Sequence, residues 1–241
     1  MMRGLLVAIG FLTRIPVPAR VSGDADGRAH SLVWYPVVGA VLGVLLIALA
    51  WVLRDVNPLL RASLTLVAWI ASTGALHLDG LADSADAWAG GMGDRARTLA
   101  IMKDPASGPM GVVAIVLVLL LKFAALASLP WAAWPALLLA PLLARAALVA
   151  LFLTTPYVRP GGLGDDLQRA PRLTCLIVLA VSIAYCAIAR WRGAWILLAA
   201  TIVFAFWRHA CMRRLGGCTG DTAGALVEMT EVAVLVVSAL A

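Results

Sequence analysis

Apolar residues run along this chain in long stretches rather than alternating with polar ones, and the charged residues gather between the stretches. A helix needs about 20 predominantly apolar residues to cross the hydrocarbon layer of a bilayer. Seven stretches reach or approach that length: 32–53, 58–76, 109–129, 131–154, 173–189, 193–207 and 224–241. The pattern predicts an all-α polytopic membrane protein of about seven transmembrane helices, with residues 1–241 forming a single integral membrane domain. A further apolar run, Gly4 to Leu12, is too short to span. Arg14, Pro16 and Pro18 follow it without a clear cleavage signal, so residues 1–20 are expected to stay on the protein as an interfacial or re-entrant segment.

Composition agrees: 63% of residues are hydrophobic and 13% charged, against about half and a quarter in soluble domains. The net charge of +6 is scattered over short loops with no basic stripe interleaved with aromatics, which excludes nucleic acid as a partner. With the N-terminus in the cytoplasm, the inner segments are 1–31, 77–108, 155–172 and 208–223. They carry thirteen Lys and Arg, Arg20 among them, against three (Arg54, Arg190 and Arg192) in the outer loops. That bias is the one expected of a protein of the bacterial cytoplasmic (inner) membrane. Arg61, Lys122 and Arg145 fall inside apolar spans. Arg61 is near a helix end, where it can snorkel, whereas Lys122 and Arg145 lie deeper and are candidates for facing a polar cavity. None of the four cysteines forms a CxxC pair, and no disulfide is expected.

Asp and Glu occupy only 13 positions, and several stand in register. Asp79, Asp83 and Asp86, in HLDGLADSADAWAGG, fall at i, i+4 and i+7, on one helix face. Like charges so placed repel, and near a bilayer they are expensive. Hard carboxylate oxygens in such a row suit Mg2+, which binds through a few carboxylates plus substrate phosphates. Asp221, Glu228 and Glu231 form a second row in GGCTGDTAGALVEMTE. Asp221 or Thr219 could cap the last helix; Glu228, two turns in, is either a site residue or the partner of Arg61, Lys122 or Arg145. Asp104 before Pro105 reads as a helix N-cap followed by Pro at the first helical position. Lys103, Arg95 and Arg159 are candidates for holding phosphate oxygens, and His77 sits just ahead of the acidic row. Three Gly-rich segments, GGMGD at 90–94, GGLGDD at 161–166 and GGCTGD at 216–221, could let backbone amides approach phosphate. Both acidic rows fall at the cytoplasmic ends of helices, where an active site is expected.

These residues carry a resemblance. The stretches FLTRIPVP (11–18), WYPVVGAVLG (34–43), HLDGLADSADA (77–87), IMKDPASGPMGV (101–112), YVRPGGLG (157–164) and LGGCTGDTAGALVEMTE (215–231) resemble the cobalamin synthase, or adenosylcobinamide-GDP ribazoletransferase, family. One departure is MKDPASGPMG where the family reads close to MKDSRxGxxG, which removes a basic residue after Asp104 and leaves Lys103. The resemblance implies a Mg2+-dependent transferase in which a ribose hydroxyl of α-ribazole, or its 5′-phosphate, attacks a phosphoanhydride of adenosylcobinamide-GDP and releases GMP. On this reading Asp79, Asp83, Asp86 and Asp221 hold the metal, with catalysis by Asp83, Asp79 and Asp221. Lys103, Arg159, Arg95, Asp104, Glu228 and His77 are the substrate-binding candidates. The implied partners are the two substrates, the bilayer, a second copy of the chain and other cobalamin-assembly enzymes. Two alternatives stand beside it: a lipid phosphotransferase of the CDP-alcohol type, and a transporter of a phosphorylated or corrinoid solute whose path would be lined by Lys122, Arg145 and Glu228.

Overall fold

The computed structural model describes residues 2–18 and 25–240; Arg20 and the rest of 19–24 lie outside the described residues. The elements are helices: α1 (Met2–Leu12), α2 (Ala25–Ser31), α3 (Tyr35–Val52), α4 (Pro58–Thr73), α5 (Leu76–Gly90), α6 (Arg95–Ile101), α7 (Pro109–Ser128), α8 (Pro135–Thr154), α9 (Leu163–Leu167), α10 (Arg172–Ala184), α11 (Trp191–Leu215) and α12 (Gly220–Leu240). Among the described residues six segments are long and apolar enough to cross a membrane, namely Ala25–Val52, Pro109–Ser128, Trp131–Thr154, Arg172–Ala189, Trp191–Leu215 and Gly220–Leu240.

A seventh crossing is counted only if α4 and α5 together make one bent span, and here the chain departs from the sequence expectation. The span foreseen at 58–76 stops at Thr73, because Gly74 and Ala75 both take left-handed backbone (φ 63° and 59°) and turn the chain by 86° into α5. Glycine adopts that conformation freely, whereas Ala75 does so at a cost. Arg14 lies over the bend. Its backbone amide donates to Ser72 O at 2.8 Å, and its side chain fills the space that a Cβ on Gly74 would need. The bend puts Asp79, Asp83 and Asp86 on a helix of their own. That helix packs against α7 and α12 and meets the start of α12 at Gly80.

α8 is the central helix, with 89% of its apolar window buried. α3 lies directly on it where two glycines remove side chains. A Cβ on Gly39 would stand 2.3 Å from Pro141 O, and one on Gly43 2.7 Å from Leu138 Cα. In α7, α10 and α11 only 22% of the window is buried, leaving faces apolar enough to meet lipid. α1 has 11 residues, about 16 Å of helix. It buries Val7, Ala8 and Leu12 against the bundle, in keeping with an interfacial segment. The four cysteines are buried and free.

Candidate active site

The site forms where α5 crosses the first turn of α12. At the crossing a Cβ on Gly80 would meet Asp221 O at 2.8 Å, and one on Gly224 would stand 3.4 Å from the Gly80 Cα. Glycine therefore lets the two backbones touch and sets Asp79 beside Asp221. Thr219 and Thr222 cap α12 reciprocally. Thr219 Oγ1 accepts from the Thr222 amide at 3.2 Å, and Thr222 Oγ1 from the Thr219 amide at 2.8 Å. With the cap supplied by threonines, the Asp221 side chain is released from that task.

Arg159 reaches Asp221 from another segment. The chain after α8 runs alongside 216–219, held by Val158 N to Cys218 O at 2.9 Å and Cys218 N to Pro156 O at 2.8 Å. Gly217 permits this approach, since a Cβ there would stand 2.2 Å from Pro156 O. Arg159 Nη1 then lies 3.2 Å from Asp221 Oδ2, and Nη2 donates to Met102 O at 3.3 Å. A cavity of about 330 Å³ opens here, bordered by Asp79, His77, Arg159 and Asp221 on its polar side and by Phe11, Tyr35, Leu148 and Phe152 on its apolar side. His77 is 3% exposed, and its Nδ1 is buried with no hydrogen-bond partner among the described residues.

The four carboxylates have different neighbours. No hydrogen bond or ion pair engages Asp79 or Asp83 among the described residues. Asp83 is pushed up to about 6 by partial burial and by the charges of Asp79, Asp221 and Asp86, which Arg159 offsets only in part. Asp86 holds the start of α7: its Oδ2 accepts from Gly108 N at 2.6 Å and its Oδ1 from Gly111 N at 2.9 Å. Its two oxygens are thus taken up in ordering the segment after the acidic helix. Among the described residues no group of three or more His, Cys, Asp or Glu side chains is drawn together tightly enough to hold a metal ion by itself.

Other candidates sit elsewhere. Arg95 Nε donates to Leu215 O at 2.7 Å and closes the C-terminus of α11. Lys103 is exposed, next in sequence to Met102. Asp104 does not cap a helix: its Oδ1 accepts from Ala106 N at 3.0 Å in a local turn, and α7 begins only at Pro109, after extended Gly108. Pro105 opens no helix there because the amides at the start of α7 are met by Asp86. Glu228 takes the internal-pair role. Lys122 Nζ lies 2.7 Å from Glu228 Oε2 and 2.5 Å from Glu231 Oε2, Arg145 Nη1 pairs with Glu231 Oε1, and Lys122 stands 5.0 Å from the Trp69 ring. The four charged groups are 1–5% exposed and close on one another, not on a path across the bilayer, so they do not support transport. Of the Gly-rich segments, Gly164 and Gly220 border the cavity, while 90–94 turns the chain into α6 with Asp94 as its N-cap. The aromatic wall was not singled out for this role from sequence, although Phe11 and Tyr35 both fall in stretches that carry the family resemblance.

The profile of the cobalamin-5-phosphate synthase family matches residues 4–239. An adenosylcobinamide-GDP ribazoletransferase of Stutzerimonas stutzeri is 56% identical over 240 residues, covering 98% of this chain and 97% of the relative. One from Pseudomonas aeruginosa PAO1 is 54% identical over 241 residues, covering 99% and 98%. No solved structure matches.

Proposed function

The chain belongs to the adenosylcobinamide-GDP ribazoletransferase family and joins ribazole to adenosylcobinamide-GDP, and we propose that it does so at the cavity between α5, α12 and the Arg159 loop. The observation that carries this assignment is that Asp79, Asp221 and Arg159, from three separate segments, border one cavity. That is the arrangement a reaction between a hydroxyl and a phosphoanhydride needs: a proton acceptor beside a cation that faces developing negative charge.

Asp79 borders the cavity and has no partner, which suits it to take the proton of the attacking ribose hydroxyl. The oxygen freed in this way bonds to the phosphorus nearer the cobinamide, and the bond from that phosphorus to the bridging oxygen breaks, with the oxygen leaving on GMP. Of the catalytic candidates Asp83, Asp79 and Asp221, Asp83 is not in the cavity lining, which favours Asp79 as the base. Arg159 neutralises the phosphoryl oxygens as charge moves onto them.

The donors fit Mg2+ in one respect: they are hard carboxylate oxygens in mutual repulsion, as the raised Asp83 records. They do not form a cage complete without substrate, and Mg2+ usually takes part of its shell from water and substrate phosphate. Asp83 and Asp221 would hold the ion. When bound, it would neutralise the phosphoanhydride and the departing GMP. Thirteen of the sixteen loop Lys and Arg fall in the segments 1–31, 77–108, 155–172 and 208–223, which also supply Asp79, Arg159 and Asp221; that bias supports a bacterial inner-membrane protein with its active site facing the cytoplasm.

The test is incubation of the purified protein in lipid with adenosylcobinamide-GDP, α-ribazole or its 5′-phosphate, and Mg2+, with and without chelator, scoring GMP and the joined corrinoid. Chelator-sensitive product is expected. Undiminished product under chelation would remove the metal from the reading, and no product from folded protein would move the substrate to a CDP-alcohol.

A further inference from the structure

We infer that the cavity is the nucleoside pocket, that it takes the flat base of the ribazole half against Phe11, Tyr35, Phe152 and Leu148, and that adenosylcobinamide-GDP stays outside and presents only its pyrophosphate at the mouth. The inference rests on the function proposed above and says which of the two substrates enters.

Size comes first. At about 330 Å³ the cavity is at the lower limit of ligand pockets, roughly 300–1,000 Å³. A base with its ribose is matched to that volume; a corrin macrocycle with its side chains is several times too large. The wall chemistry points the same way. Phe11 and Tyr35 stack with ring centroids 6.2 Å apart and planes 21° from parallel. Phe152 (6% exposed) and Leu148 (3% exposed) complete an apolar end. Aromatic faces hold a flat heterocycle by stacking, whatever hydrogen bonds it offers. A corrinoid bristling with amides would bury those amides there against groups that cannot answer them.

Polarity then fixes the direction. The carboxylates and Arg159 border the same cavity as the rings, so a nucleoside whose base occupies the aromatic end brings its ribose towards Asp79 and Asp221.

The experiment measures KM for α-ribazole and for adenosylcobinamide-GDP separately, in wild type, Phe11→Ala and Phe11→Leu, together with equilibrium binding of α-ribazole alone to protein in nanodiscs. Phe11 is 37% exposed, so its truncation leaves the buried core intact, and Phe11→Leu keeps apolar bulk while losing the ring. The expected result is a KM for α-ribazole raised about tenfold in Phe11→Ala and less in Phe11→Leu. Equilibrium binding weakens in parallel and the KM for adenosylcobinamide-GDP does not follow. An unchanged α-ribazole KM, or equal rises in both KM values, overturns the inference while leaving the transferase reading standing. Absence of joined product from wild type overturns the transferase reading itself.

Discussion

Arg159 Nη1 stands 3.2 Å from Asp221 Oδ2, and the two residues arrive on neighbouring segments, one from the loop after α8 and the other from the first turn of α12. The pair is about one-fifth to one-quarter exposed, so it is neither screened like a surface ion pair nor sealed like a core one. A cation in such a position can turn from the carboxylate to an incoming phosphate without leaving its place.

Replacing Arg159 by Ala is expected to lower kcat/KM about 100-fold, with Lys restoring only part because a point charge cannot span Asp221 and a phosphoryl oxygen together. Because the two side chains touch, the losses from Arg159→Ala and Asp221→Asn should not add. A double-mutant cycle on kcat/KM measures this, and additive losses would separate the two residues.

Asp79 and Asp86 lie two turns apart on one face of α5, yet their replacement should read out differently. Asp79→Asn should cost about 100-fold or more in turnover with little change in melting temperature. Asp86→Asn sets an NH2 against one of the amides of Gly108 and Gly111. It should destabilise the protein by about 1–3 kcal/mol, seen as a lower melting temperature in detergent. Equal melting temperatures for the two variants would remove the capping role from Asp86.

Adding one methyl at Gly80 puts a Cβ 2.8 Å from Asp221 O, a backbone atom that cannot rotate away. Gly80→Ala should therefore push α5 off α12, costing about 1–3 kcal/mol and most of the activity. The same change at Gly93 meets no atom within 4 Å, although its positive φ makes it strained, and it should leave turnover near wild type. Activity and thermal unfolding of both variants decide this.

Much of this arrangement was legible in the chain. Apolar length alone located the six spans to within a few residues at most ends, because in lipid every backbone polar group must be satisfied within its own helix. The register of Asp79, Asp83 and Asp86 gave the acidic face. The bend at Gly74–Ala75 was not legible, since Ala75 is a residue that propensity places in a helix and only its packed surroundings hold it at φ 59°. The start of α7 at Pro109 matches the apolar stretch read at 109–129, but its cap was misassigned for a related reason. Asp104–Pro105 looks like a local cap, but the carboxylate that orders α7 comes from Asp86, more than twenty residues earlier. Nor does spacing along one helix express that Glu231, among the described residues, pairs with both Lys122 and Arg145.

Glu231→Gln is expected to destabilise the bundle by about 3–5 kcal/mol, because it strips Arg145 of its only carboxylate and Lys122 of one of two. Glu228→Gln should cost less, since Lys122 keeps Glu231. Thermal unfolding in detergent orders the two, and the reverse order would contradict the network.

That network also constrains how the protein is made. Its cations sit on α7 and α8, and both of its carboxylates on α12, which follows them in the chain. Until α12 is made, the growing chain holds two buried-type cations in the membrane without the carboxylates that pair with them. α12 therefore acts as a keystone: its docking is the step that neutralises the two helices already in place.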